Sequence, residues 1–524
     1  MKRRGRALTS ALLALVCGVS LPLAAFGAVP YAQIEGTGST WSELIVQQWI
    51  ADVNANGMKV VYTGGGSTKG RKDFANNSVD FAISEIPYQG TDEQGQSDTS
   101  QGREFSYLPI VAGGTAFTYQ LKVGNQQVKN LRLSGETLAK IFTNQITSWD
   151  DKAIAKDNNG RKFPAVPIIP VVRSDGSGTT AQFTTWMDKQ HPDIWRPYFG
   201  RSGLTSYYPK KSGSRMVSQA GSDQVMNTIK GFSGNGMIGY VEYSYAINAD
   251  YPVVKVKNAA GYFVEPTQYN TAVALTQAKI NMDTTSQLYL TQNLDGVYTH
   301  KDPRSYPISS YSYMILPTGA GDRRMSTAKR QTLADFMYYS LCTGQTKAGA
   351  YGYSSLPLNL VQAGFDQIAK LKAADPAVEL TDRDVKSCNN PTFDGKDLNR
   401  NLLAEKAPKP PECDKEGAGP CGYDTGTGEP ATEDTAAAPG GAVAAPPPAA
   451  VDPVTGQDVP VAAPVAGDAT QAVYASPDTL SAQRDGDRRP FGWLVVVELL
   501  ALVLLPGLLA ATLRRRLAAR GTLR

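Results

Sequence analysis

Histidine is almost missing from this chain: His191 and His300 are the whole supply in 524 residues. So small a supply argues against a histidine-built zinc or two-metal hydrolase and against a Ser–His–Asp nucleophile. His191 stands before Pro192 and His300 lies in a polar turn, so both are expected to be incidental. A Walker A loop is missing too, because Lys69 is followed by Gly70 rather than Ser or Thr. No excess of positive charge marks the body. The two ends, residues 1–30 and 514–524, hold nine of the 52 basic groups and no acid, which leaves 43 basic against 48 acidic groups between them. Nucleic-acid binding therefore has no electrostatic support. No enzymatic activity, metal or cofactor is expected.

Cysteine is scarce as well. Of five, Cys17 falls in the N-terminal apolar stretch. The other four, Cys342, Cys388, Cys413 and Cys421, are an even number, which in an oxidising compartment suggests two disulfides. Of the three possible pairings the local one, Cys342–Cys388 with Cys413–Cys421, is favoured.

What is present divides the chain into segments. Residues 1–27 have the charged start, apolar middle and small-residue end of a secretory signal, with lipidation at Cys17 as the alternative. Up to about residue 405 strand-like and helix-like patterns alternate, which predicts an α/β body of two lobes. A Cys-containing extension follows at 406–421. Residues 422–490 are rich in Pro, Ala and Gly with Tyr423 and Tyr474 as their aromatics, too few for a core. Such a linker spans about 45 Å as a flexible coil and roughly 210 Å in polyproline form. Residues 491–513 are an apolar run long enough to cross a bilayer, interrupted by Glu498, with Trp493 suited to the outer interface. The basic tail 514–524 then lies in the cytoplasm and the body outside the cell. No LPxTG-like pentapeptide precedes the run, so a permanent anchor is preferred to a cell-wall sorting tail.

The densest chemistry lies at Arg173-Ser174-Asp175-Gly176-Ser177-Gly178-Thr179-Thr180. An apolar extended run, 168–172, precedes it; Phe183, Trp186 and Met187 follow at helical spacing. The unit is strand, glycine turn, helix. Gly176 and Gly178 bring backbone N–H groups close to a ligand, and Ser177 and Thr179 stand at a helix start, which favours anions. Arg173 adds a two-pronged donor and Asp175 can hold it in place. Gly36 to Trp41 and Gly64 to Gly70 repeat the glycine-to-helix pattern, and the strand from Val79 ends in Ser84 and Glu85.

These stretches resemble the PstS family, the periplasmic phosphate-binding proteins of bacterial ABC phosphate importers. The likeness runs from about Gln33 to Leu371. It is strongest at Val171–Thr179 and recurs at Ile146–Ala155 and Gly236–Tyr243. The resemblance implies a two-lobed, type II binding-protein fold that closes on one phosphate. Lobe one would combine 28–110 with 309–405, and lobe two would be 111–308, with crossings near Leu108–Gly113 and Tyr306–Tyr311. It implies ligand contacts from Ser39, Thr40, Trp41 and Ser67 on one side and Arg173, Ser177, Gly178 and Thr179 on the other, with Asp175 orienting the arginine. Trp41 stands where the family usually has Phe. Glu85 stands where the family has Asp, the acceptor for a phosphate proton. The implied function is a monomeric, membrane-tethered binding protein that passes inorganic phosphate to an ABC permease. The alternative is a surface interaction or sensing module that binds another ligand and takes no part in transport.

Overall fold

The computed structural model describes residues 31–92, 95–380 and 384–421. The expected signal, linker, membrane span and basic tail lie outside these residues. Among the described residues no helix is long and apolar enough to cross a membrane.

Eight strands form the main sheet: β1 (Ile34–Gly38), β2 (Val60–Gly64), β3 (Phe81–Ser84), β4 (Phe105–Tyr119), β5 (Ile169–Arg173), β6 (Val217–Gln219), β7 (Met237–Glu242) and β8 (Ser309–Pro317). Their order is β6-β5-β7-β4-β8-β3-β1-β2. On one side β1 pairs in parallel with β2 and β3; on the other, β5 pairs in parallel with β6 and β7. The long strand β4 joins the halves. Its residues 105–114 run antiparallel to β8, and 115–119 antiparallel to β7. The handover at Gly114–Thr115 lies just past the stretch at which the sequence suggests a first crossing. This gives two α/β lobes that share one central strand. Both β4 and β8 are buried along nearly their whole length. Burial on both faces is what helices packed on each side of a sheet produce.

Among the described residues, the helices that position the site or close the core include α1 (Glu43–Asn54), α2 (Ser67–Ala75), α3 (Gly178–Gln190), α4 (Gly221–Lys230), α5 (Thr327–Leu341) and α6 (Leu358–Ala374). The buried face of α1 carries Ile45, Val46, Trp49 and Val53, with Ile45, Trp49 and Val53 one helical turn apart. Phe183, Trp186 and Met187 of α3 are buried, and Phe183 meets Phe117, Phe142 and Tyr240 at ring distances of 5.0–5.2 Å. His191 packs edge-on against Trp186, and burial pushes its imidazole down to about 4. It is thus held neutral in a structural contact.

Cys342 ends α5 and is bonded to Cys388; Cys413 is bonded to Cys421. Beyond Cys388 the chain first stays at the start of α6, where Asn390 donates to the Leu356 carbonyl at 3.0 Å and the Asn359 N–H donates to the Leu398 carbonyl at 3.1 Å. Arg304 holds the carbonyls of Ala404 and Ala407 at 3.1 Å each. The last described residues then lie on the second lobe, beside the strand Lys255–Lys257. There Lys255 pairs with Asp414, Lys257 pairs with Glu416, and Arg132 donates to the Cys413 carbonyl.

Candidate functional site

Four glycine- or serine-led helix starts converge where the lobes face each other. On the first lobe, α1 follows β1 and α2 follows β2; on the second, α3 follows β5 and α4 follows β6. Each helix begins at the carboxyl end of a parallel strand, where N–H groups without helical partners collect.

At the centre is Glu85, directly after β3 and 1% exposed. Its Oε2 accepts from Ser67 Oγ at 2.6 Å and its Oε1 from Ser312 Oγ of β8 at 3.0 Å. Ser67 opens α2, and its Oγ accepts the N–H of Gly178, the first residue of α3, at 3.2 Å. One hydroxyl thus joins both helix starts and the carboxylate. A Cβ at Gly178 would collide with Glu85 Oε2, so this approach needs glycine. Two further bonds cross between the lobes: Thr68 N–H donates to the Gly176 carbonyl at 3.0 Å, and Gln182 Nε2 to the Glu85 carbonyl at 2.8 Å.

Arg173 ends β5 and is buried. Its Nε donates to Asp175 Oδ1 at 2.6 Å, its Nη2 donates to Asp175 Oδ2, and its Nη1 donates to Ser222 Oγ at 3.2 Å. Burial pushes the guanidinium pKa down, but the bond and charge of Asp175 outweigh it and leave the pKa above its ordinary value. Asp175 also accepts the Gly221 N–H at 3.1 Å, which ties the arginine to the start of α4.

The remaining residues take distinct places. Ser177 caps α3 by accepting the Thr180 N–H at 3.1 Å. Thr179 is 1% exposed and its Oγ1 has no hydrogen-bond partner among the described residues. A buried hydroxyl in that condition needs an acceptor. Thr40 Oγ1 lies 3.1 Å from Ser222 Oγ and accepts the Ser222 N–H at 3.2 Å. Ser39 Oγ accepts from Trp41 N–H at 3.0 Å and Ser42 N–H at 3.3 Å, so it braces the entry to α1. Trp41 is buried edge-on against Tyr353, and its carbonyl accepts from the Tyr353 hydroxyl at 2.6 Å. An open groove on the second lobe, lined by Thr143, Ile146, Tyr198, Lys211 and Arg215 among others, contains none of these residues. Among the described residues no group of three or more His, Cys, Asp or Glu is placed to hold a metal ion.

Sequence reasoning missed Ser222, Ser312, Gln182 and Glu43. Ser222 had a readable signal, since Gly221-Ser222 follows a short strand just as the other helix starts do. Ser312 had none: it is one residue of an unbroken buried strand. Glu43 accepts the Gly64 N–H at 3.1 Å. Burial raises its carboxyl to about 7, with Asp223 adding to the rise and the Gly64 bond and Arg173 opposing it.

A family model described as a PBP superfamily domain matches residues 26–343. The phosphate-binding protein PstS of Methanocaldococcus jannaschii is 30% identical over 345 residues, covering 65% of this chain and 86% of its own length. The chain belongs to the PstS family. The phosphate-binding protein PstS 2 of Mycobacterium tuberculosis is likewise 30% identical, over 66% of this chain and 87% of its own. A solved structure of a periplasmic phosphate-binding protein bound with phosphate covers 65% of the chain and 93% of its own length, at 21% identity and a TM-score of 0.48. PstS proteins bind a solute and are not enzymes.

Proposed function

We propose that this PstS-family chain binds inorganic phosphate outside the cell, tethered to the membrane, and delivers it to an ABC permease without making or breaking a bond. The observation that carries the reading is the convergence on Glu85. Two helix starts from opposite lobes meet one buried carboxylate, with a clamped arginine at the end of β5 and, in the first turn of α3, a Thr179 hydroxyl that has no partner among the described residues. Such a set offers several N–H and O–H donors and one acceptor. A tetraoxo anion that still carries a proton satisfies both kinds of group. A fully ionised one leaves Glu85 facing bare oxygen, which costs an unmet acceptor and charge repulsion. Phosphate near neutral pH is of the first kind and sulfate of the second. The curated relatives are named phosphate-binding proteins, in keeping with this ligand.

Calorimetry of the full chain with phosphate and then sulfate tests the reading. Tight phosphate binding with no measurable sulfate binding is expected; equal binding of both, or none, overturns it.

The tether rests on the sequence of 422–524. The signal directs export, the apolar run 491–513 anchors the chain once, and the Pro/Ala-rich linker lets the binding body reach a permease in the same membrane. Truncation after residue 490 should release the body into the medium. A truncated chain that stays with the membrane fraction would point instead to a lipid at Cys17.

A further inference from the structure

We infer that Ser222, at the start of α4, is a further ligand for the bound anion and, together with Thr40, the latch that closes the clamp on it. The inference rests on the phosphate reading and adds to it a residue that the family resemblance did not supply.

Ser222 is completely buried, and Thr40 is 4% exposed. They belong to opposite lobes and are 182 positions apart, yet their hydroxyl oxygens are 3.1 Å from each other. Every polar contact of the pair can be counted. Ser222 N–H donates to Thr40 Oγ1, and Arg173 Nη1 donates to Ser222 Oγ. The two hydroxyls carry two hydrogens, and the bond between them uses one. Neither oxygen has another acceptor within reach among the described residues. One buried O–H is therefore left to point at something else, and a buried donor without an acceptor is costly. Its surroundings define what can accept: Arg173 lies on one side, Thr40 on the other and the start of α4 behind. The carboxylate beside them, Asp175, is taken up by the Arg173 guanidinium and the Gly221 N–H, so the oxygen of a bound anion meets the demand.

The arrangement also explains why α4 begins where it does. Asp175 holds both the Arg173 guanidinium and the Gly221 N–H, so the arginine and the serine move as one piece with the second lobe. When that piece meets Thr40, closure and ligand contact become the same event. Sequence carries no hint of this coupling, because the partners lie on strands and helices far apart in the chain.

The test is phosphate calorimetry on the full chain and on Ser222→Ala, with thermal melting of each without ligand as the control for folding. Ser222→Ala is expected to melt normally and to bind phosphate about ten-fold or more weakly, the loss of one hydrogen bond to a charged group. Ser222→Thr, which keeps the hydroxyl, should recover most of the affinity. In the Thr40→Val/Ser222→Ala double variant the loss should be smaller than the two single losses combined, because the residues act as one latch. If Ser222→Ala melts early, Ser222→Cys, of similar size and a poor donor, takes its place with the same expected loss. A wild-type chain that binds no phosphate overturns both this inference and the reading beneath it. Tight wild-type binding with an unchanged Ser222→Ala affinity overturns this inference alone.

Discussion

Replacing Glu85 by Gln keeps the shape of the side chain and removes the carboxylate at the junction of α2 and α3. Ser67 and Ser312 now donate to its two oxygens at 2.6 and 3.0 Å. Both are hydroxyls and can turn to accept from an amide, so the variant should fold. What changes is the face shown to a ligand: an acceptor becomes a mixed group with an N–H donor. A protonated anion loses its partner for the P–OH hydrogen, while a fully ionised anion gains a donor. A hydrogen bond to a charged group is worth about 1.5–3 kcal/mol, or roughly ten- to 150-fold in affinity. Phosphate binding should fall by about that factor, and sulfate binding should rise from undetectable to measurable. The two titrations, run side by side on wild type and Glu85→Gln at one pH, read the ratio directly. If sulfate stays excluded from the variant while phosphate binding is unchanged, the reasoning about Glu85 is wrong.

Three further outcomes follow from the same contacts. Arg173→Ala removes the guanidinium and leaves the Asp175 carboxylate facing the site uncompensated, so phosphate affinity should drop more than ten-fold by calorimetry. Glu43 is raised from the ordinary 4.5 to about 7 by burial, so its native form holds a proton more tightly than the unfolded chain does. Its contribution to stability is therefore full below about pH 4.5 and is lost as pH rises through about 7; Glu43→Gln should flatten that part of the pH profile in thermal melts. The Cys342–Cys388 bond closes 46 residues and Cys413–Cys421 closes 8. Loop-closure entropy makes these worth about 4 and 2.5 kcal/mol, so urea melts of paired Cys→Ser variants should show the larger loss for the first pair.

The parts of the site that could be read from the chain are those written in consecutive residues. Arg173 to Thr179 states a strand end, a turn and a helix cap within seven positions, and the structure places β5, the Ser177 cap and α3 there. Gly64 to Ser67 states the same for α2. The boundary of β3 was less legible: the apolar run from Val79 suggests an earlier start, but Asp80 is drawn off to accept the Glu35 N–H and to pair with Lys329, and the strand begins at Phe81. Ser312 could not be found at all. Its position beside Glu85 depends on β8 pairing with β3 and on the register shift in β8 against β4 between Ser312 and Tyr313, and no local pattern records either. Glu43 reads as an ordinary acidic residue in the first turn of a helix; its partner is the Gly64 N–H at the end of β2, and the charges that act on it, Asp223 and Arg173, belong to the other lobe.

On the phosphate reading, the charges at the site require uncharged donors beside its arginine. Arg173 brings one positive group, and Asp175 and Glu85 bring two carboxyls, so the named side chains alone do not favour an anion. The guanidinium is also held by Asp175 in a two-pronged contact that offsets most of its field. On the phosphate reading, attraction comes from the N-terminal ends of α2, α3 and α4, each equivalent to roughly half a positive charge, from the Thr179 hydroxyl and from the one O–H that the Thr40–Ser222 pair leaves over. Such donors are uncharged and fixed in direction. On the phosphate reading they grip any tetraoxo anion of the right size and leave discrimination to the acceptor. Here the acceptor is a Glu, with one methylene more than an Asp, and two neighbours accommodate the added length. Ser312 pins Oε1 from β8, and Gly178 presents no Cβ where Oε2 arrives. The extra reach, about 1.5 Å, is thereby directed toward α3 and away from solvent, where Ser67 and Ser312 hold both carboxylate oxygens.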